Sequence, residues 1–148
     1  VQQYRLLFYT ARGLLEHGTI VRSAAAFGFD RLILSDDCAD LYHPRTLRGA
    51  MGALFRMRAD VVTDFASAVP ALRASGRRVY AAELRDGALS VDEAKPTAAD
   101  CFVIGNEGHG IPPEISALCT GSVYIPIAPT SESLNAATAA SILAYIQR

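Results

Sequence analysis

Lysine is nearly missing from this chain: Lys95 is the only one, and every other member of the 14 Lys and Arg residues is arginine. A genome rich in G and C gives that bias with no functional meaning. Arginine is also the better phosphate fork, so the bias alone assigns nothing. An excess of positive charge is missing too. The formal net charge of −1 argues weakly against a non-specific nucleic-acid binder. Cysteine is scarce and odd in number, and Cys38, Cys101 and Cys119 show no Cys-x-x-Cys spacing. With His17, His43 and His109 scattered, no zinc constellation can be drawn and no metal is expected. The cysteines read as reduced thiols of a cytoplasmic protein, two of them packing as small apolar residues. Long apolar runs are absent: each is broken by Arg, Gly or Asp within about ten residues, short of the roughly 20 that span a bilayer. No membrane partner is expected. No charged, apolar and cleavable leader opens the chain, so nothing argues for export. An initiator Met is also lacking, which leaves room for a further N-terminal part. There is no internal repeat, low-complexity tract or Pro/Ser-rich linker.

What is present suits one domain spanning residues 1–148, half of it apolar and a fifth of it charged, as in compact α/β proteins. Short apolar runs at Leu6–Tyr9, Arg31–Leu34, Asp60–Thr63, Arg78–Ala82, Cys101–Ile104 and Ser122–Pro126 read as buried strands. Helical patterns fall between them. They run from Thr19 to Phe27 before Gly28, from Pro44 to Arg56, and from an Asp64 cap to just before Gly76. Pro70 is expected to kink the last of these or shift its start. A fourth helix opens at Pro112-Pro113 and ends near Gly121, and a fifth covers Ser133 to Ile146. Alternation with short connections predicts a parallel sheet with helices on both faces. Ligands of such sheets bind beyond the carboxyl ends of the strands.

Three loops there draw attention. Cys101-Phe102-Val103-Ile104-Gly105-Asn106-Glu107-Gly108-His109-Gly110-Ile111-Pro112 runs from a strand through three glycines into a Pro-started helix. A tight structural turn or a phosphate loop would also use glycine. The spacing is Gly-x-x-Gly-x-Gly rather than the dinucleotide fingerprint, and Glu107 would repel a pyrophosphate. A cationic or hydroxyl-rich ligand fits better, and a branched side chain at Gly105 is expected to occupy ligand space. The second loop, Val123 to Ala140, leaves a strand at Pro126 and enters an alanine-rich helix with Ser133 and Asn135 at its mouth. Capping explains one serine but leaves Asn135 without a purpose. The third segment, Gly18 to Phe29, is an apolar helix with one conspicuous residue, Arg22. Most helical arginines are solvated or paired, so that residue alone decides little.

Together the three segments closely resemble the SpoU-type RNA 2'-O-ribose methyltransferases of the SPOUT superfamily. That family's first motif ends in Gly-x-Ile-x-Arg-x-Ala-x-x-Phe-Gly, matched from Gly18 to Gly28. Its second, Ile-Gly-Asn-Glu-Gly-x-Gly-Ile-Pro, is matched from Ile104 to Pro112, and its third, Ile-Pro then Ser-Leu-Asn and an alanine-rich helix, from Ile125 to Ala140. His43 to Met57 is similar to the family's second helix, and the likeness covers nearly nine tenths of the chain.

The resemblance implies a six-stranded parallel sheet whose C-terminal segment is threaded as a deep trefoil knot. It implies S-adenosylmethionine held by three loops: Ala81, Ala82 and Glu83; Gly105, Asn106, Glu107 and Gly108; and Ile125, Pro126, Leu134 and Asn135. It implies a homodimer, with RNA, tRNA or ribosomal, as the partner, and Arg22, Glu107, Ser133 and Asn135 as the catalytic set. A neutral guanidine is expensive to form. A guanidinium that stabilises a developing alkoxide, or fixes the adjacent phosphate, is the preferred role for Arg22. The small face of Ala136, Ala137, Ala139 and Ala140 is the expected dimer contact. One place departs from the pattern. The family has Asn two residues before the glycine that is Gly18 here, in a loop often reading Asp-Pro-x-Asn-x-Gly, whereas this chain has Glu16. Leu14-Leu15-Glu16-His17 looks like a strand end spliced onto the motif. Either that loop is lost or the sequence omits residues between about Arg12 and Gly18, and the intact remaining motifs favour omission. The competing readings are a catalytically silent SPOUT domain that binds RNA or protein, supported by Glu16, and a nucleotide-binding oxidoreductase, weakened by the glycine spacing.

Overall fold

Leu32, Ile33 and Leu34 are all buried in strand β2 (Arg31–Ser35), yet they serve different cores. Leu32 and Leu34 join the cluster on one face, while Ile33 joins the cluster on the other. The same split runs through β6 (Cys101–Ile104), with Phe102 and Ile104 on the first face and Cys101 and Val103 on the second. In β4 (Val79–Ala82), Tyr80 takes the first face, and Val79 and Ala81 the second. Side chains of a strand alternate, so a strand apolar at every position must be covered on both sides.

A computed structural model describes residues 4–8, 14–29, 31–36, 48, 57–105, 110–131 and 134–147, without the side chains of 4–8 and 14–17. The expected helix over 44–56 lies outside the described residues except for Arg48, which is helical. Also within the sheet are β1 (Tyr4–Phe8), β3 (Arg58–Val62), β5 (Leu89–Ser90) and β7 (Gly121–Tyr124). The described sheet has seven strands in the order β3-β2-β1-β6-β4-β7-β5, and every pairing is parallel. Six of these are the expected strands, and the seventh, β5, is a two-residue edge strand.

Helices α1 (Leu14–Ala26) and α5 (Ala136–Gln147) cover the first face; α2 (Phe65–Ala74) and the single turn α4 (Pro113–Ser116) cover the second. A further turn, α3 (Val91–Ala94), follows β5 under a capping box in which Ser90 and Glu93 exchange side-chain and backbone bonds. Among the described residues no helix is long and apolar enough to cross a membrane. Ion pairs tie the strands together where they begin. Arg31 donates twice to Asp60 across β2 and β3, and Arg78 forks onto buried Asp100 at the start of β6. Burial opposes ionisation of Asp60, but hydrogen bonds from Arg31 and Arg58 outweigh it and hold the carboxyl below its ordinary value.

Several expectations need correction. Leu14–His17 is not a strand end but the opening of α1, which is continuous to Ala26. Pro70 does not move the start of α2, which runs from its Asp64 cap through Pro70; Pro70 is exposed, while Phe65, Val69 and Leu72 are buried. The helix from Pro113 stops after one turn, because Leu118 N–H and Cys119 N–H reach back only three residues, to Ile115 and Ser116. The last helix starts at Ala136 rather than Ser133. Finally, the small residues reserved for a dimer are used within the chain: Ala136, Ala137 and Ala140 are buried in the core that α5 shares with α1. Cys101 and Cys119 are buried thiols, as expected, and Cys38 lies outside the described residues.

Candidate functional site

β4 and β7 end side by side, and the Glu83 N–H donates to the Val123 carbonyl at 2.9 Å, so the two departing loops leave together. In the paired register Ala81 shares a face with Ser122, and Ala82 with Val123. The Glu83 carboxylate is anchored on the Ser122 side. Its Oε2 accepts from the Ser116 hydroxyl at 2.7 Å and the Ser122 hydroxyl at 3.0 Å. Arg85 Nη1 stands 3.5 Å from the same oxygen. Beyond Glu83 the chain turns back through an Arg85 carbonyl–Ala88 N–H bond, with Gly87 at φ 82°, a conformation glycine adopts without a Cβ penalty. Ser90 then fixes the far end through its capping box. The loop is thus pinned at both ends, and Leu84 between them is 79% exposed.

The loop after β7 runs through Ile125 and Pro126 to a turn in which Ser131 N–H meets the Ala128 carbonyl, and then enters α5. Asn135 Oδ1 accepts the Thr138 N–H at 2.7 Å and caps that helix. That is the purpose its position had left open. After β6, a Cβ on Gly105 would lie 2.6 Å from the Gly110 carbonyl carbon and 2.8 Å from Ile111 N and Cγ1. The glycine is required by the loop folding back on itself, whatever ligand the loop approaches.

Between these loops and α5 lies a cavity of about 540 Å³. Predicted residues Ala82, Glu83, Ile125, Pro126 and Leu134 all stand on its wall. Ala81 is fully buried on the other face, and Ala81, Gly105, Asn135 and Arg22 are not among the wall residues. Asn106, Glu107, Gly108 and Ser133 lie outside the described residues. Arg22 is exposed on α1 and forms no ion pair among the described residues. Next to it, the Ser23 hydroxyl receives the Ser141 hydroxyl at 2.9 Å and ties α1 to the cavity helix.

Sequence reasoning had missed Leu84 and Tyr124, and also Ala139 and Leu143 of α5, on the cavity wall. The last two are separated by four residues, one helical turn, which was a readable signal. It had also missed Ser116 and Ser122, which nothing near Glu83 in the chain announces. Among the described wall residues Glu83 is the sole formally charged one. Close by, burial pushes the Cys119 thiol up to about 11, with the Glu83 charge adding to the effect, so Cys119 behaves as an apolar filler and not a nucleophile.

A parallel α/β domain with an apolar cavity beyond the carboxyl ends of its strands belongs to the ligand-binding class of such sheets. The chain itself is a member of the SpoU rRNA Methylase family, whose model matches residues 15–145. It is 36% identical over 128 residues to the Bacillus subtilis 23S rRNA (guanosine(2553)-2'-O)-methyltransferase RlmP, covering 86% of this chain and 51% of that protein. It is 35% identical to the 23S rRNA (uridine(2479)-2'-O)-methyltransferase of Streptomyces viridochromogenes, covering 86% of this chain and 46% of that one. The crystal structure of the SpoU methyltransferase AviRb from the same organism, in complex with AdoMet, superimposes with a TM-score of 0.84 at 31% identity, covering 99% of this chain and 57% of AviRb. The chain therefore spans about half the length of the curated relatives it matches.

Proposed function

We propose that this domain catalyses S-adenosylmethionine-dependent methylation of a ribose 2'-hydroxyl in tRNA or ribosomal RNA. The observation that carries the reading is the cavity between the β4 and β7 loops, whose wall contains Ala82, Glu83, Ile125, Pro126 and Leu134. The residues fit that cofactor. The volume is in the range of small-molecule sites, roughly 300–1,000 Å³. Apolar walls at Ile125, Leu134 and Leu143 suit an adenine ring, and a carboxylate as the one charged group on the described wall suits a ligand with a positive centre. When bound, S-adenosylmethionine supplies an activated methyl group on a sulfonium leaving group.

The chain's own residues then have to orient the hydroxyl and favour loss of its proton. Arg22 is assigned the charge-stabilising role, as a guanidinium close to the developing alkoxide or to the neighbouring phosphate. Glu107, Ser133 and Asn135 arrange the site, and Asn106, Gly108 and Gly105 form the loop that approaches the cofactor. Asn135 spends its carbonyl oxygen on the α5 cap, which leaves Nδ2 as the donor for this task. Because Arg22 is exposed and absent from the cavity wall of its own chain, a homodimer in which Arg22 serves the partner's cavity fits the placement. A C-terminal trefoil knot belongs to the same reading. It is supported by the chain crossing back from β7 to seat α5 over β6 and β1, on the far side of β4. A cytoplasmic location goes with an RNA substrate.

The deciding experiment is mass spectrometry of tRNA and rRNA from a deletion strain. One missing 2'-O-methyl nucleoside, restored by the wild-type gene and not by Arg22→Ala, is expected. An unchanged inventory, together with no measurable S-adenosylmethionine binding, would refute the proposal.

A further inference from the structure

Glu83 combines three features that the assignment of a cofactor loop does not explain. It is the one formally charged residue on the described cavity wall. It is also held by two hydroxyls that converge on the same oxygen, Oε2. Those hydroxyls come from separate elements, Ser116 on α4 and Ser122 on β7, so the flexible carboxylate is fixed in place by the fold. Its ion-pair partner among the described residues, Arg85, stands at 3.5 Å and is half exposed, and such a pair is largely screened by water. The Glu83 side chain itself is only 22% exposed. A negative charge is therefore held beside an otherwise apolar cavity, with its Oε2 on two hydroxyls outside the wall and the half-exposed Arg85 as its ion-pair partner among the described residues.

We infer that Glu83 is a charge-selecting residue, which makes the cavity prefer a cationic sulfonium ligand over the neutral thioether left after methyl transfer. This rests on the cofactor reading proposed above. Methyl transfer breaks the S–CH3 bond and forms an O–CH3 bond. The bonding pair stays on sulfur and the hydroxyl proton is released, so the spent ligand has lost the positive charge that the fresh one carried. A fixed carboxylate near the cavity attracts the fresh ligand and not the spent one, so it sets the order of affinities and speeds exchange after each turnover. The adenosine and amino-acid ends are identical in the two ligands, which differ only at sulfur, by the methyl group and by the charge. Interaction between unit charges several ångströms apart, at a dielectric intermediate between protein and water, is worth roughly fivefold to tenfold in affinity.

The test is isothermal titration of the full protein with S-adenosylmethionine, S-adenosylhomocysteine and sinefungin, in which an amine carries the charge. Glu83→Gln keeps a carbonyl oxygen for the Ser116 and Ser122 hydroxyls and removes only the charge. Its ratio of S-adenosylmethionine to S-adenosylhomocysteine affinity should fall roughly fivefold to tenfold, with sinefungin weakened in parallel and S-adenosylhomocysteine within twofold of wild type. Arg85→Ala, at a half-exposed side chain, should move the ratio the other way by about twofold, and it provides the test if Glu83→Gln fails to fold. Ratios unchanged in a folded Glu83→Gln, or in Arg85→Ala when that is the only folded variant, overturn the inference while leaving the cofactor reading intact. A wild-type protein that binds none of the three ligands overturns both.

Discussion

Replacing Gly105 by alanine tests whether the loop after β6 is shaped by its own packing or by a ligand. The added Cβ would sit 2.6 Å from the Gly110 carbonyl carbon and 2.8 Å from Ile111 N and Cγ1. Unstrained carbon contacts fall at about 3.5–4.0 Å, so the loop has to open by about an ångström. β6 cannot retreat, because it is hydrogen-bonded to β1 on one side and β4 on the other. Two of the three colliding atoms are backbone, so the strain cannot be relieved by one rotamer change. Overpacking of this kind costs about 1–3 kcal/mol. For a domain of this size that lowers the melting temperature by about 2–12 °C. Differential scanning fluorimetry without ligand reads the effect directly. Adding Ile111→Ala to Gly105→Ala should recover only part of the loss, since the Gly110 and Ile111 backbone contacts remain. If Gly105→Ala melts within about 1 °C of wild type but loses cofactor affinity, the packing explanation is refuted and the glycine faces the ligand after all.

Arg22→Ala and Arg22→Lys should each reduce methylation on the order of a hundredfold or more while leaving S-adenosylmethionine affinity nearly unchanged; a surface arginine without a role would leave both quantities intact. Asn135→Ala removes the α5 cap and should cost about 1 kcal/mol, read as a fall of about 2–4 °C in melting temperature, whereas Asn135→Ser should retain most of it. Burial pushes the Cys101 and Cys119 thiols up to about 11. Neither should be alkylated by iodoacetamide at pH 8 until the protein unfolds, as peptide mass spectrometry would show. The same shift has a sign for stability. Between about pH 9, where the unfolded thiols ionise, and about 11, the native state holds protons that the unfolded state has released, so stability should fall as pH rises through that window. Urea titrations at pH 8 and pH 10 would check it.

Strands were the most legible part of the molecule. A run such as Cys101–Ile104, buried on both faces, carries its own boundary, and the strand there matches its prediction. Helix ends were less legible because side-chain caps decide them. Asn135 and not Ser133 starts α5, and that choice depends on an Oδ1–Thr138 contact that composition does not reveal. β5 and α3 escaped notice because two strand residues and one helical turn have no period to detect. Yet the spacing of Ser90 and Glu93 was a capping-box signal that could have marked α3. The cavity loops were legible through their motifs, while the anchors of Glu83 were not. Ser116 and Ser122 lie 33 and 39 residues away along the chain, and only the parallel crossover brings them to it. The cost of glycine at position 105 was likewise hidden, since the colliding Gly110 and Ile111 backbone is placed by the fold.

The position of β6 has a consequence for how the chain assembles. It is the single strand that joins the β3-β2-β1 half of the sheet to the β4-β7-β5 half. During synthesis β1 therefore emerges with one edge unsatisfied and must wait for Cys101–Ile104 before that edge closes. Some ninety residues separate them, which at about 5–20 residues per second is an interval of roughly 5–20 s. In that interval the open edge of β1 is a template for wrong pairing. Among the strands whose side chains are described, β2 and this keystone strand are buried at every position, so its insertion closes the edge and adds to both cores at once.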